Sequence, residues 1–162
     1  MKTFQFLFDL PEYQQTRNPK LIAGGHWQQG VIRTKSIEEL ISRVKSIALW
    51  FLDNGIKKED RVILLVNHFN LDWLAVDMAI MSVGAISVPV HFPQRESDLK
   101  FIFERIKPAL LIHSTEISKT AILSADTSIQ FETLVKTERA IEEKDIQQLI
   151  DIRNSIALTD IA

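Results

Sequence analysis

Three histidines close apolar runs in this chain: His68 follows RVILLV (61–66), His91 follows AISVPV (85–90), and His113 ends ALLIH (109–113). If those runs are strands of an open α/β sheet, all three fall on its carboxyl edge, where such sheets place ligands. Asn67 sits there as well, and Asn67, His68 and His91 are the residues we expect to line a cavity. Three imidazoles could hold a transition metal, but their spacing matches no recognised ligand motif, so hydrogen-bonded or solvated loop histidines are the preferred reading. Asp72 and Asp77 could act as an acid and a base. Five positions apart on a helix they point about 140° away from each other, which favours a helix-end charge at Asp72 and a surface-facing Asp77. Ser114 and Thr115 follow a strand as a nucleophile would, yet no GxSxG surrounds them and a helix N-cap explains them better. Trp27, Trp50 and Trp73 have no interleaved basic residues, so packing is preferred over stacking on bases.

Phosphate binding needs glycines where a strand gives way to a helix N-terminus. The corresponding loops here read NHFN, HFPQRES and STE, and the five glycines lie elsewhere: Gly24, Gly25 and Gly30 early, Gly55 and Gly84 at helix ends. Neither GxGxxG nor GxxxxGK[ST] occurs, which argues against a complete nucleotide site within these residues. No catalytic, cofactor-binding or metal-ligating residue is therefore assigned.

The elements that would position the edge are legible from spacing. Ser36 and Glu39 form a capping box, and Ile37, Leu40, Ile41, Val44, Ala48 and Phe51 recur at helical intervals. Asn54-Gly55 ends that helix, with Ile56 closing the cap. The run from Arg61 to Val66 has the continuous apolar character of a strand covered on both faces. Asn70 caps a second helix, apolar almost all round, that Gly84 ends. AISVPV follows as a second buried strand, with Pro89 near its end. Ser97 caps a third helix carrying Leu99, Ile102, Phe103 and Ile106, Pro108 stops it, and ALLIH is the third strand. Residues 114–135 suit a short helix and a minor strand near Ser128 to Phe131. Ile141, Asp145, Ile146, Leu149 and Ile150 fit a polar-sided helix running to about Asn154. The fold class is thus α/β, a parallel sheet flanked by helices on a βαβαβ core, because parallel strands require crossover connections. Three parts are expected: 1–35 as an N-terminal arm and loop, 36–113 as the α/β core, and 114–162 as the C-terminal part of the same domain.

Composition bounds the class of protein. The 162 residues, 46% of them hydrophobic, suffice for one domain that buries roughly 70% of its unfolded surface. Cysteine is absent, so disulfides and thiolate metal sites are excluded and a cytoplasmic location is the expectation. The opening MKTFQFLFDLPEYQQ lacks a signal-peptide pattern, and the most apolar stretch, Leu71 to Pro89, is interrupted by Asp72, Asp77, Ser82, Gly84 and Ser87, so no transmembrane segment is expected. Nineteen basic against 21 acidic side chains give a net charge of −2 with no basic stripe, which leaves nucleic acid an improbable partner.

The order of these words resembles a known family. SIEELISRVKSIALWFLDNGIKKEDRVILLVNHFNLDWLAVDMAIMSVGAISVPVHF is similar to the amino-terminal subdomain of adenylate-forming acyl-CoA synthetases, the AMP-binding superfamily. Ser36, Glu39 and Leu40 match its first helix start. Gly55 with Lys58-Glu59-Asp60-Arg61-Val62 matches its "GDRV"-like turn, Asn67 and Trp73 its next strand and helix, and Gly84-Ala85 with Val88-Pro89 its "GA…VP" strand. LFDLPEYQ with Trp27 resembles the start of the long-chain fatty-acid members, Glu96-Ser97-Asp98-Leu99 with Phe101-Ile102 their following helix, and Leu158-Thr159-Asp160-Ile161-Ala162 the lead-in to their phosphate loop. His91-Phe92-Pro93-Gln94-Arg95 departs from the family, which often has a Pro-rich or Thr-containing loop there.

The resemblance implies a parent ligase that joins a fatty acid to ATP as an acyl-adenylate and then to coenzyme A, with Mg2+ accompanying ATP. No family catalytic position has a match in this chain, so the segment alone is expected to be structural and inactive, bound to the remainder of the same polypeptide and able to self-associate through its exposed surface. Two rivals remain: a stand-alone α/β small-ligand or protein-interaction module using the edge near Asn67, His68, His91 and His113, and part of a peptide-synthesis-type adenylation domain. Coding sequence beyond Ala162 would separate a synthetase from a stand-alone module.

Overall fold

The computed structural model describes residues 5–28, 30–67, 69–91, 94–114, 127–157 and 160. After a 3-10 turn at Leu7–Asp9 come α1 (Leu10–Arg17), β1 (Ile22–Gln28), β2 (Val31–Ser36), α2 (Ile37–Asp53), β3 (Arg61–Leu65), α3 (Leu71–Ser82), β4 (Ile86–Val90), α4 (Glu96–Ile106), β5 (Leu110–His113), β6 (Ser128–Gln130), α5 (Phe131–Leu134) and α6 (Glu143–Ser155). Strands β4-β3-β5-β6 form one sheet, parallel throughout, and β1 and β2 form a separate antiparallel hairpin. The α/β class with helices on a parallel sheet is therefore the observed architecture.

The central strand explains the layering. Val62, Ile63, Leu64 and Leu65 are all buried, and because their side chains alternate, two separate cores result. Val62 and Leu64 join Ile47, Phe51, Val76 and Ile80 in the larger core under α2 and α3. Ile63 and Leu65 join Leu99, Phe103 and Leu111 in a smaller core under α4. Helix α2 forms for the reasons legible in its sequence: the Ser36 hydroxyl accepts from the Glu39 amide at 3.1 Å, the Glu39 carboxylate accepts from the Ser36 amide at 2.6 Å, and Gly55 at φ +81° lets the Ile56 amide turn back to the Phe51 carbonyl at 2.9 Å.

Several expectations are corrected. Strand β4 is half-buried rather than fully buried, because it ends the described sheet and pairs with β3 alone; Pro89 is exposed there, where a missing donor is tolerated. Ser97 does not cap α4, which starts at Glu96 behind Arg95 with no side-chain cap; Glu96 and Asp98 instead meet the positive end of its dipole. The minor strand exists as β6 and belongs to the main sheet, and a short helix within 114–135 exists as α5, directly after that strand; residues 115–126 lie outside the described ones. Within the arm expected at 1–35, the described residues form the 3-10 turn, α1 and a hairpin. Its strand IAGGHWQ conceals the alternating pattern behind two glycines, and Gly30 at φ +79° supplies the reversal. Trp50 packs against the core and Trp73 stacks edge-on against Phe69, but Trp27 is exposed, so packing does not account for it.

Asp77 is half-buried and not surface-facing: it accepts a 2.5 Å hydrogen bond from the Ser87 hydroxyl, joining α3 to β4. Burial pushes its carboxyl above the usual aspartate range, and the Ser87 bond offsets only part of that. Asp72 points elsewhere and ion-pairs with Lys35, fastening β2 to α3.

Charged clamps attach the C-terminal helix. Arg153 donates to both carboxylate oxygens of Asp9, at 3.0 and 2.8 Å, and lies 5.4 Å from the Phe6 ring centre. Burial works against the Asp9 charge, yet Arg153 and the amides of Phe6 and Gln5 outweigh it and hold the carboxyl below its usual range. Arg139 bridges Asp53 and the buried Asp145. Arg43 donates to the Val135 carbonyl at 2.5 Å. Among the described residues no helix is long and apolar enough to cross a membrane.

Two predictions follow from these contacts. Arg153→Ala leaves Asp9 partly buried without its fork and should cost about 1–3 kcal/mol in urea unfolding. The loss should fade as pH drops through the lowered Asp9 value, because a carboxyl with a depressed folded pKa stabilises only while ionised. Asp77 has the opposite sign: its raised folded pKa makes stability fall as pH rises from the ordinary aspartate range through the folded value. Asp77→Asn should remove that component, so the difference in urea midpoint between the two proteins should grow in favour of the variant across this window and then level off. A constant difference would show that Asp77 does not titrate there.

Candidate functional site

The carboxyl ends of the four strands bring several candidates to one edge. In spatial order they are His91 just beyond β4, Asn67 beyond β3, His113 and Ser114 at the end of β5, and Gln130 at the end of β6. The loops that carry them arise because each strand must release its chain toward the next crossover helix. Asn70 begins the first of those helices by accepting the Trp73 amide at 2.9 Å.

Asn67 and Ser114 form the polar joint of the edge. The Asn67 amide donates to the Ser114 hydroxyl at 3.2 Å, that hydroxyl donates to the Asn67 side-chain oxygen at 3.3 Å, and the Ser114 amide donates to the Leu65 carbonyl at 3.2 Å. Ser114 is thus buried and hydrogen-bonded to Asn67 and is not an exposed nucleophile, while the residues of a helix it would cap lie outside the described ones. His113 is buried beside it, with Nδ1 2.9 Å from the Ser114 carbonyl. The carbonyl can only accept, so Nδ1 carries the proton. His91 is exposed, Asn67 is exposed, and His68 lies outside the described residues.

The structure therefore joins Asn67 to Ser114, sets His113 against the Ser114 carbonyl and leaves His91 exposed. Among the described residues no three His, Asp or Glu side chains converge as a metal site would require. The Asp72 and Asp77 carboxylates point to Lys35 and Ser87 and do not meet as an acid and base. Two cavities lie away from this edge. One of about 220 Å³ is mainly apolar and opens between α1, α2 and α6, with Pro11, Val44, Ala48, Leu149 and Ile150 in its wall. The other, of about 350 Å³, is polar and lies between α2 and residues 137–139, with Ser42, Arg43 and Ser46 facing Arg139.

Sequence reasoning did not anticipate the opposite, amino edge. There Lys58, in the turn before β3, binds the Ser155 carbonyl at 3.3 Å and the Asp160 carboxylate at 2.6 Å, and the Ala157 amide donates to that carboxylate at 2.7 Å. Lys58 together with this amide holds the Asp160 carboxyl below the usual range. Separations of 97 and more positions leave no local spacing signal for such contacts. Of the expected lead-in to a phosphate loop, Asp160 is described and Leu158, Thr159, Ile161 and Ala162 are not.

ATP with its magnesium calls for a run of backbone amides at a helix start and for carboxylates near the metal. The described edge offers Asn67, Ser114, His113 and His91 with no carboxylate or glycine-rich turn among them, so these residues do not fit that pair.

Comparison with known proteins adds a frame. Residues 12–159 match the family described as AMP-binding enzyme. A long-chain-fatty-acid CoA ligase, FadD15 of Mycobacterium tuberculosis, is 22% identical over 100 residues, which is 62% of this chain and 16% of that protein. Among solved structures, the NpsA N-terminal subdomain of Klebsiella oxytoca superposes with a TM-score of 0.70 at 19% identity, over 85% of this chain and 33% of that one. The fatty acid AMP ligase of Legionella pneumophila superposes at 0.66 and 22% identity, over 86% and 27%. These superpositions share the fold, and the chain spans about one-sixth of the length of the FadD15 ligase. The parallel sheet, the ordered scaffold words and a family match over nearly the whole length lead to one conclusion: this chain belongs to the AMP-binding enzyme family.

Proposed function

We propose that this chain is the amino-terminal part of an ATP-dependent long-chain fatty-acid CoA ligase of the cytoplasm. The observation that carries the reading is the family match over residues 12–159 with fatty-acid ligases among the relatives. In the first half-reaction the fatty carboxylate attacks the α-phosphate of ATP, giving acyl-adenylate and pyrophosphate. In the second the thiol of coenzyme A displaces AMP to give the thioester.

The part played by these 162 residues is mechanical. Two buried cores and the Asp9–Arg153 and Arg139 clamps make a stiff support. The edge at Asn67, Ser114 and His91 would face the acyl pocket as an outer wall, while the remainder of the polypeptide supplies ATP, Mg2+ and coenzyme A contacts. The described edge contributes hydrogen-bond groups and no charge clamp for a triphosphate. The domain division follows the same reading, with 1–35 as an N-terminal arm and loop, 36–113 as the α/β core and 114–162 as the C-terminal part of the same domain, leading toward the phosphate loop of the parent.

The purified chain, given ATP, magnesium and palmitate or octanoate, should show no pyrophosphate exchange above background. Exchange at any fatty acid would overturn its inactivity. The complete coding sequence, expressed in full, should release pyrophosphate and consume coenzyme A with a fatty acid; activity confined to aryl or amino acids would overturn the substrate class.

A further inference from the structure

Asn54-Gly55 is the one place in the sequence where an asparagine precedes a glycine, and both residues are exposed at the C-terminal end of α2. The pairing is chemically reactive. With no side chain on Gly55 to obstruct it, the Gly55 backbone nitrogen can close a succinimide ring on the Asn54 side-chain carbon Cγ. A Cβ built on Gly55 would meet nothing within 4 Å, so the surroundings leave that approach open as well. The helix cap opposes it. The Gly55 N–H donates to the Leu52 carbonyl at 3.0 Å and Asn54 Nδ2 donates to the Trp50 carbonyl at 2.8 Å, so nucleophile and leaving group are both held by α2. The Asn54 ψ of +15° also keeps the Gly55 nitrogen turned away from Cγ.

We propose that Asn54 is a site of spontaneous deamidation whose rate is set by how often the cap of α2 opens. The Gly55 nitrogen gives its proton to solvent and bonds to Cγ, the Cγ–Nδ2 bond breaks, and the amide takes a proton from solvent to leave as ammonia. Water then adds to either carbonyl of the succinimide and opens it, giving aspartate or isoaspartate at position 54. The reaction is intramolecular, and solvent water is its sole co-reactant. Ile56 pulls the turn shut, with its amide on the Phe51 carbonyl at 2.9 Å and its side chain buried. Two hydrogen bonds of ordinary net strength hold the closed form, which sets the native rate about ten- to a hundredfold below that of the unfolded chain. The product weakens the cap. A carboxylate at position 54 faces the Trp50 carbonyl without a proton to donate, and it adds negative charge beside Asp53 at the negative end of the helix dipole. The modification is therefore a one-way mark of age on α2. The proposal goes beyond the ligase reading and does not depend on it.

The purified 162-residue chain, kept in mildly alkaline buffer at body temperature, should convert first at Asn54. Mass spectrometry of its tryptic peptides should show the amide-to-acid change there, and enzymatic methylation should detect isoaspartate. The same chain unfolded in urea should convert about ten- to a hundredfold faster. Ile56→Ala, with its fold checked by circular dichroism, should speed conversion of the native protein several-fold, and Asn54→Gln should remove it. The aged protein, and Asn54→Asp as its mimic, should unfold at lower urea than the parent. No product from the native chain over about a hundred times the period that half-converts the unfolded chain overturns the proposal. Equal rates in native and unfolded chain overturn the control by the cap, and so does an Ile56→Ala rate equal to the parent's. The urea comparison decides the matter whether or not that variant folds.

Discussion

Everything in this structure depends on keeping both faces of β3 dry. A parallel strand in the middle of a sheet has no solvent side, and Val62 to Leu65 satisfy that condition with an unbroken apolar run. Because successive side chains point to opposite faces, the strand divides its neighbours into two groups that never touch through it: α2 and α3 over Val62 and Leu64, α4 over Ile63 and Leu65. Helix order, crossover direction and the position of the loops at the carboxyl edge all descend from that division.

The hydrophobic layers fix the middle of the chain, and charge fixes its ends. Residues near the N-terminus meet residues near the C-terminus through Asp9 and Arg153, 144 positions apart. Arg139 gathers Asp53 and the buried Asp145 at the opposite side of α2. Two of these groups are carboxylates that burial alone would disfavour, so the guanidinium forks are what make their positions tenable. The amphipathic helix α6 can then lie against α2 and α3 while exposing Ile146 and Ile150.

How much was legible follows from the range of each signal. Capping at Ser36 and Asn70, the stop at Gly55 and the runs at 61–66 and 109–113 are local, and each stands as its residues dictate. The hairpin was hidden because Gly24 and Gly25 break the alternation that identifies a strand, leaving only cross-strand register to define it. Asp77 was misplaced because helical angle says where a side chain points and not what stands there; Ser87 arrives from another strand. At the candidate edge, sequence order placed Asn67 and Ser114 each just after a strand, but only the fold makes those strands neighbours and shows that the two residues spend their polar groups on each other.

The Lys58 anchor has a geometric consequence. Ser155, Ala157 and Asp160 are held beside the turn that precedes β3, at the amino edge of the sheet, whereas Asn67, Ser114 and His91 stand at the carboxyl edge. Five residues of β3 separate the two, about 16 Å at strand rise. Any backbone leaving Asp160 for that edge must run the full height of the sheet, on the order of five extended residues, before it can approach a ligand there. The lysine thus acts as a surveyor's peg: it sets the starting point from which the reach of the following segment is measured.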